Sequence, residues 1–263
     1  MLTSKVRQYL RKSFRIRPSH CFCLGAAKTG TTSFSAMFAD HYRAAHEPNV
    51  ADLTATVEKV ILGELRPPEI KDWLYKRDKE LNLEVEASHP LGYLAPWLPE
   101  VFPEAKFVIT IRDPLPWLKS RLNFHYYKTP EVWQRYRDFI WGRHHIGYQL
   151  EEAVLEELGL YSVDAYLTQY SEQYKLLFNH LPEDRTLMLR TERLSDSIEI
   201  LAAFLELDPT TIIAKHENIV AVDSNVIDLL PTAFVASRIK EKCGWIEERL
   251  SIRIPCFERG LSV

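Results

Sequence analysis

The stretch Cys21-Phe22-Cys23-Leu24-Gly25-Ala26-Ala27-Lys28-Thr29-Gly30-Thr31-Thr32-Ser33-Phe34 constrains this chain more than any other. The apolar run from Cys21 to Leu24 reads as a buried strand, and Phe34, Met37 and Phe38 then fall at helical spacing. Between them lies a loop of small residues. A strand, a glycine-bearing loop and a helix in that order predict an α/β fold and give a phosphate-binding loop its proper context. The loop amides and the first turn of the helix would point at one spot and favour an anion there.

Gly25 and Gly30 have the spacing of the nucleotide-binding pattern G-x-x-x-x-G-K-[ST], but Thr31 stands where that pattern has its lysine. The cation sits inside the loop instead, at Lys28. Such a loop keeps the phosphate cradle and loses the lysine that reaches a nucleoside triphosphate's γ-phosphate. It therefore predicts an anionic donor bound differently from ATP.

The 263 residues are enough for one large α/β domain with a sizeable core. A formal net charge of -3 argues against wholesale nucleic-acid binding. There is no apolar run long enough to span a bilayer. The N-terminus has no apolar signal core, so a cytoplasmic setting is expected. Cys21 and Cys23 read as small buried residues on one face of the first strand. Neither they nor Cys243 and Cys256 have metal-ligand spacing, and no metal is expected. Residues 1–18 carry Lys5, Arg7, Arg11, Lys12, Arg15 and Arg17 with no acid, and Val6, Leu10 and Phe14 recur every four residues. This predicts a short basic amphipathic helix that packs on the domain, with a peripheral membrane contact as the other reading.

Tyr42 to Pro48 predicts a second strand that empties into a loop at His46 and Glu47, because Pro48 cannot continue a ladder. Ligands of open α/β sheets bind beyond the carboxyl ends of strands, which puts both side chains where an acid or base is useful. By position alone Glu47 reads as a solvated carboxylate. Val50 to Leu81 is helical in pattern, split by Pro67-Pro68. Leu83 to Ala87 alternates as a third strand and ends in Ser88-His89-Pro90. Lys106 to Ile111 is a buried parallel strand, closed by Arg112-Asp113-Pro114, with Asp113 suited to a helix cap and Pro114 to the first turn. Ser120 follows Arg112 by eight residues, two turns into that helix. An arginine fork and a neutral hydroxyl there are a fitting pair for a phosphate ester.

From about 121 to 160 the chain is crowded with aromatics and histidines and predicts a helical acceptor or lid region, with His144-His145 structural or exposed. Val163 to Phe178 is a strongly amphipathic helix. Thr186 to Leu189 is a fifth strand. Ser195 or Asp196 is expected to cap the helix that buries Ile198, Leu201 and Leu205. A last helix carries Ala236, Ile239, Cys243, Ile246 and Leu250 on one stripe.

Lys28-Thr29-Gly30-Thr31-Thr32 resembles the 5′-phosphosulfate loop of sulfotransferases that use 3′-phosphoadenosine 5′-phosphosulfate (PAPS). Arg112-Asp113-Pro114 with Ser120 is similar to their R-[DN]-P-x(5)-S motif, which grips the donor's 3′-phosphate. The resemblance runs from about Cys21 to Leu205. It implies a single sulfotransferase-like domain over 1–263, built as a three-layer α/β fold with a central parallel sheet of about five strands, similar to the P-loop kinases. It implies transfer of a sulfuryl group from PAPS to a hydroxyl or amine of a small-molecule or glycan acceptor, leaving 3′-phosphoadenosine 5′-phosphate (PAP). Ala27, Lys28, Thr29, Gly30, Thr31, Thr32, Arg112 and Ser120 would bind the donor, and Lys28 would also stabilise developing charge. Several branches place a catalytic Glu where Glu47 stands. The T-H-L-P turn of the cytosolic branch is similar to Ser88-His89-Pro90-Leu91, although the lysine that precedes it there is missing. Glu47, His89 and, less directly, His46 are thus the candidate bases. Arg190 to Leu194 is similar to the family's [YR]-E-x-L strand end, and Arg259-Gly260 is a reduced form of a basic R-K-G. Two other readings stay open: a nucleotide-dependent kinase, which would want a lysine at position 31, and a non-catalytic nucleotide-binding module.

Overall fold

In the computed structural model, which describes residue 17 and residues 19–127, 129–215 and 224–253, five strands form one wholly parallel sheet. They are β1 (Cys21–Gly25), β2 (Ala44–His46), β3 (Val85–Ala87), β4 (Lys106–Ile111) and β5 (Thr186–Arg190), in the order β2-β3-β1-β4-β5. The basic N-terminal helix expected over 1–18 and the Arg259-Gly260 segment lie outside the described residues, Arg17 apart. Ten α-helices are described: α1 (Thr31–Phe38), α2 (Val50–Ile61), α3 (Pro67–Leu81), α4 (Leu98–Val101), α5 (Pro114–Tyr127), α6 (Glu131–Gly142), α7 (Ala153–Glu157), α8 (Val163–His180), α9 (Ile198–Leu205) and α10 (Thr232–Arg253). The chain divides into two compact units, one from Met1–Ile111 with Leu176–Ile219, the other from Arg112–Lys175 with Val220–Val263.

The first unit holds the sheet. β1 is its central strand, and all five of its residues are buried because both faces are covered. Alternation sends Cys21 and Cys23 to one face, where they join Phe34, Met37 and Phe38 of α1, Val85, Ala87, Val108, and Leu201 and Leu205 of α9 in one core. Phe22 points to the other face and meets Phe102 and Phe107 at ring distances of 5.2 and 6.0 Å. On that face Arg77 of α3 makes a two-pronged ion pair with Glu86 of β3, at 2.6 and 2.7 Å. Both groups are buried, so each charge relies on the other.

β2 and β3 are shorter than the expected Tyr42–Pro48 and Leu83–Ala87, and just before them Arg43 and Glu84 bond one another. The Arg43 amide donates to the Glu84 carboxylate at 2.9 Å and the Glu84 amide to the Arg43 carbonyl at 2.8 Å. The helix expected to be capped by Ser195 or Asp196 starts later, at Ile198. Short 3-10 turns over Thr191–Arg193 and Ser195–Ser197 take up the connection, and the Ser197 hydroxyl turns back to the Arg193 carbonyl at 2.7 Å.

The second unit is helical and aromatic. Trp117 of α5 lies 4.2 Å from Tyr170 of α8, and Tyr170 lies 4.7 Å from Tyr174. Arg121 sits 4.1 Å above the Trp141 ring, and His125 Nδ1 is 2.8 Å from the Tyr166 hydroxyl. Arg238 of α10 binds Asp164 of α8. On α10 Cys243 and Ile246 of the expected stripe are buried, while Ala236 is exposed and its neighbours Phe234 and Val235 are buried instead. His145 Nδ1 meets Ser162, and His144 Nε2 lies 3.5 Å from Glu172. Among the described residues no group of acids, histidines or cysteines is arranged to hold a metal ion, and no helix is long and apolar enough to cross a membrane.

Candidate active site

A parallel sheet sends all its carboxyl ends to one edge, and the strand order reverses beside β1, with β3 on one side and β4 on the other. That is the place where open α/β sheets bind ligands. The loop after β1 is built tightly against β4. Gly25 pairs with Thr110, and a Cβ on Gly25 would come within 2.3 Å of the Thr110 hydroxyl, 2.5 Å of the Thr110 carbonyl and 2.6 Å of the Thr29 hydroxyl. Only glycine fits. Lys28 and Gly30 both adopt left-handed backbone, φ +72° and +90°, which closes the loop and delivers it into α1.

The four hydroxyl and amide groups of the loop divide into two kinds. Thr29 is fully buried; its hydroxyl bonds the Ala26 carbonyl at 2.7 Å and the Thr110 hydroxyl at 2.9 Å, and its amide bonds Ala26 as well. Its side chain therefore shapes the loop from within. Thr31 and Thr32 begin α1, whose first turn has no acidic residue to offset the helix dipole. Their hydroxyls lie 3.1 and 3.2 Å from a single atom, His46 Nε2.

His46 ends β2, and Glu47 follows it in a left-handed conformation, φ +48°, with its amide bonded to the Ala87 carbonyl at 3.0 Å. That strained φ for a residue with a Cβ turns Glu47 across the end of β3. There its Oε1 meets His89 Nδ1 at 2.5 Å, in a nearly buried pair. Glu47 Oε2 is 3.7 Å from His46 Nδ1. Burial works against the Glu47 carboxylate, but the charge and hydrogen bond of His89, with His46 adding, outweigh it and hold the carboxyl below its ordinary 4.5. Burial, with the nearby charges of His89 and Lys28, holds the His46 imidazole below its ordinary 6.5 against the opposing pull of Glu47. Lys28, His46, Glu47 and His89 thus feel one another, and with Thr31 and Thr32 they make one polar cluster at the sheet edge.

The remaining expected residues are in the other unit. Arg112 follows β4 directly, and its carbonyl accepts a hydrogen bond from the Tyr170 hydroxyl. Ser120 is half-buried on α5.

Sequence reasoning missed Thr191. Its hydroxyl lies 2.7 Å from the Thr29 carbonyl and 3.1 Å from the Ile111 carbonyl, and its methyl, with Leu194, closes over Gly30. A threonine one residue past a strand is too common to stand out; its position at the end of β5 is the only signal it carries.

The fold and this edge define an α/β protein whose central strand feeds a glycine-bearing loop free of acids. A family model described as "Sulfotransferase domain" matches residues 20–213, most of the chain, and the chain belongs to that family. Among solved structures the chain is similar to a sulfotransferase from Alicyclobacillus acidocaldarius, at 16% identity over 87% of this chain and 96% of that one, with a TM-score of 0.46. No curated protein matches it.

Proposed function

We propose that the chain is an enzyme that moves a sulfuryl group from PAPS to a hydroxyl or amine acceptor by in-line displacement. The observation that carries the proposal is the Glu47–His89 pair at 2.5 Å, set among Lys28, Thr31 and Thr32 at the carboxyl edge of the sheet. A proton-accepting pair beside an anion-suited loop is what transfer to a protonated acceptor requires.

The donor set of the loop fits an anionic donor: first-turn amides of α1, two hydroxyls and one lysine, with no carboxylate in the first turn. When bound, PAPS supplies a sulfuryl group already activated on a phosphate leaving group. Lys28 neutralises charge that grows on the leaving oxygen, and the amides of Gly30 to Thr32 with the Thr31 and Thr32 hydroxyls hold the 5′-phosphate. Thr29 keeps the loop in shape. Arg112 and Ser120 hold the 3′-phosphate by the match to the family's motif. Because the reacting groups need positioning more than covalent help, the burden falls on geometry and charge.

Glu47 and His89 act as a unit. Nδ1 of His89 is taken by Glu47, so the acceptor's proton enters a hydrogen-bonded pair. No metal is invoked. The aromatic-rich residues of 121–160 form the acceptor or lid region, and the whole chain works as one catalytic domain in the cytoplasm.

Calorimetric titration with PAP in EDTA, beside ADP and beside ATP with Mg²⁺, tests the reading. Metal-free PAP binding that is lost with ADP is expected, and Arg112→Ala should erase the difference. Tighter binding of ATP with Mg²⁺ would replace this reading with that of a kinase. Donor binding without PAP release over a broad acceptor panel would leave a binding module.

A further inference from the structure

His46 stands between the loop and the proton-accepting pair. Its Nε2 faces the hydroxyl oxygens of Thr31 and Thr32 at 3.1 and 3.2 Å, while its Nδ1 is 3.7 Å from Glu47 Oε2, beyond hydrogen-bond reach. The bonded side of the ring is therefore Nε2.

One ring nitrogen offers either one lone pair or one proton, and each threonine hydroxyl has one proton to give. If Nε2 were a bare lone pair, it would draw a hydroxyl proton inward, away from the loop's mouth, and turn oxygen lone pairs toward any anion there. If Nε2 carries a proton, the two nearly equidistant oxygens share it, and both hydroxyl protons are left to face outward. An anion at the start of an α-helix with no acid in its first turn selects the second arrangement.

We propose that His46 is a positioning residue that presents Nε2–H to the Thr31 and Thr32 oxygens and aims both hydroxyl protons at the anion in the loop. The proposal rests on the sulfotransferase reading. It gives His46 no part in taking the acceptor's proton; its work is done in donor binding.

Two measurements test it. In the PAP complex of the full chain, the ¹⁵N spectrum of the histidine side chains should show His46 Nε2 protonated; a bare Nε2 overturns the proposal. In calorimetry, His46→Asn, too short to reach the hydroxyls, should weaken PAP binding about tenfold, the loss expected when one hydrogen-bonded link to a charged ligand goes. His46→Gln, whose amide nitrogen reaches the Nε2 position, should stay within about threefold of the native protein. In a Thr31→Val/Thr32→Val background, His46→Asn should cost less than about twofold more, because the groups it acts through are gone. An undiminished cost there, or unchanged affinity in His46→Asn, refutes the role. If His46→Asn proves unfolded by thermal melt, the spectrum of the native protein and the His46→Gln variant still decide. Failure of the native chain to prefer PAP over ADP would instead sink the sulfotransferase reading itself, and the two failures are told apart by that control.

Discussion

The two flanks of β1 end in different chemistry. On the β3 and β2 side the strands close with His89, His46 and Glu47, all titratable, with His89 hydrogen-bonded to Glu47 and His46 3.7 Å from it. On the β4 and β5 side Thr110, near the end of β4, and Thr191, just after β5, offer neutral hydroxyls that bond the interior of the loop after β1. On the proposed reading the first flank moves the acceptor's proton, while Thr110 and Thr191 of the second hold the loop in shape. The same loop is thus braced by hydroxyls on one side and, through His46, lies beside acid–base groups on the other, where the proposed function places the chemistry. Substitutions on the two flanks should separate accordingly.

The largest effect is expected on the titratable flank. Glu47→Gln and His89→Asn should each lower turnover by ~10²–10⁴-fold, the range for a lost general base, with PAP affinity held within about threefold. Because the pair acts as a unit, the double variant should be no slower than the worse single one. Multiplicative losses in steady-state kinetics would split the pair into independent groups. Unchanged turnover in both folded variants would remove the base from this flank altogether.

The bracing flank should respond in stability. Gly25→Ala drives a Cβ into backbone as well as side-chain atoms of Thr110, so a loss of ~3 kcal/mol in urea denaturation is expected. A near-neutral result would mean that β1 and β4 can part there without penalty. Thr191→Val keeps the methyl over Gly30 and removes the hydroxyl, so it should cost about 1 kcal/mol and raise KM for the donor while leaving kcat in place. A fall in kcat alone would put Thr191 on the wrong side of the comparison.

The smallest effect is a pH dependence confined to the first flank. His46 is held below 6.5 in the folded chain, so the folded state binds fewer protons there than the unfolded chain does. Its contribution is present above pH 6.5 and is lost as pH falls through the folded value. Glu47, held below 4.5, acts in the same direction lower down: its stability is present above pH 4.5 and is lost as pH drops through its folded value. Melting temperature against pH should therefore fall in two stages on the acid side. His46→Gln should flatten the upper stage and Glu47→Gln the lower, whereas Thr191→Val should shift the whole curve without changing its form. One common shift in all three variants would mean that the flanks do not differ in their titration.

Much of this was legible in the chain itself. The apolar runs of β1 and β4, the helical spacing in α1 and α8, and the glycines at 25 and 30 are local patterns, and local patterns determine periodicity, turns and hence the α/β class. Strand ends followed by Glu47, His89 and Arg112 were visible for the same reason. The division of labour among similar side chains came only with the tertiary structure. Thr29, Thr31 and Thr32 look alike in sequence, yet one is turned inward by Thr110 and the others are met by His46. Thr191 braces a loop 162 residues away in the chain. Those partners are brought together by parallel register across β2, β3, β1, β4 and β5, and by the left-handed turn at Glu47. A hydrogen bond is decided by which atoms meet within about 3 Å, and that is a property of the assembled sheet, which no local spacing encodes.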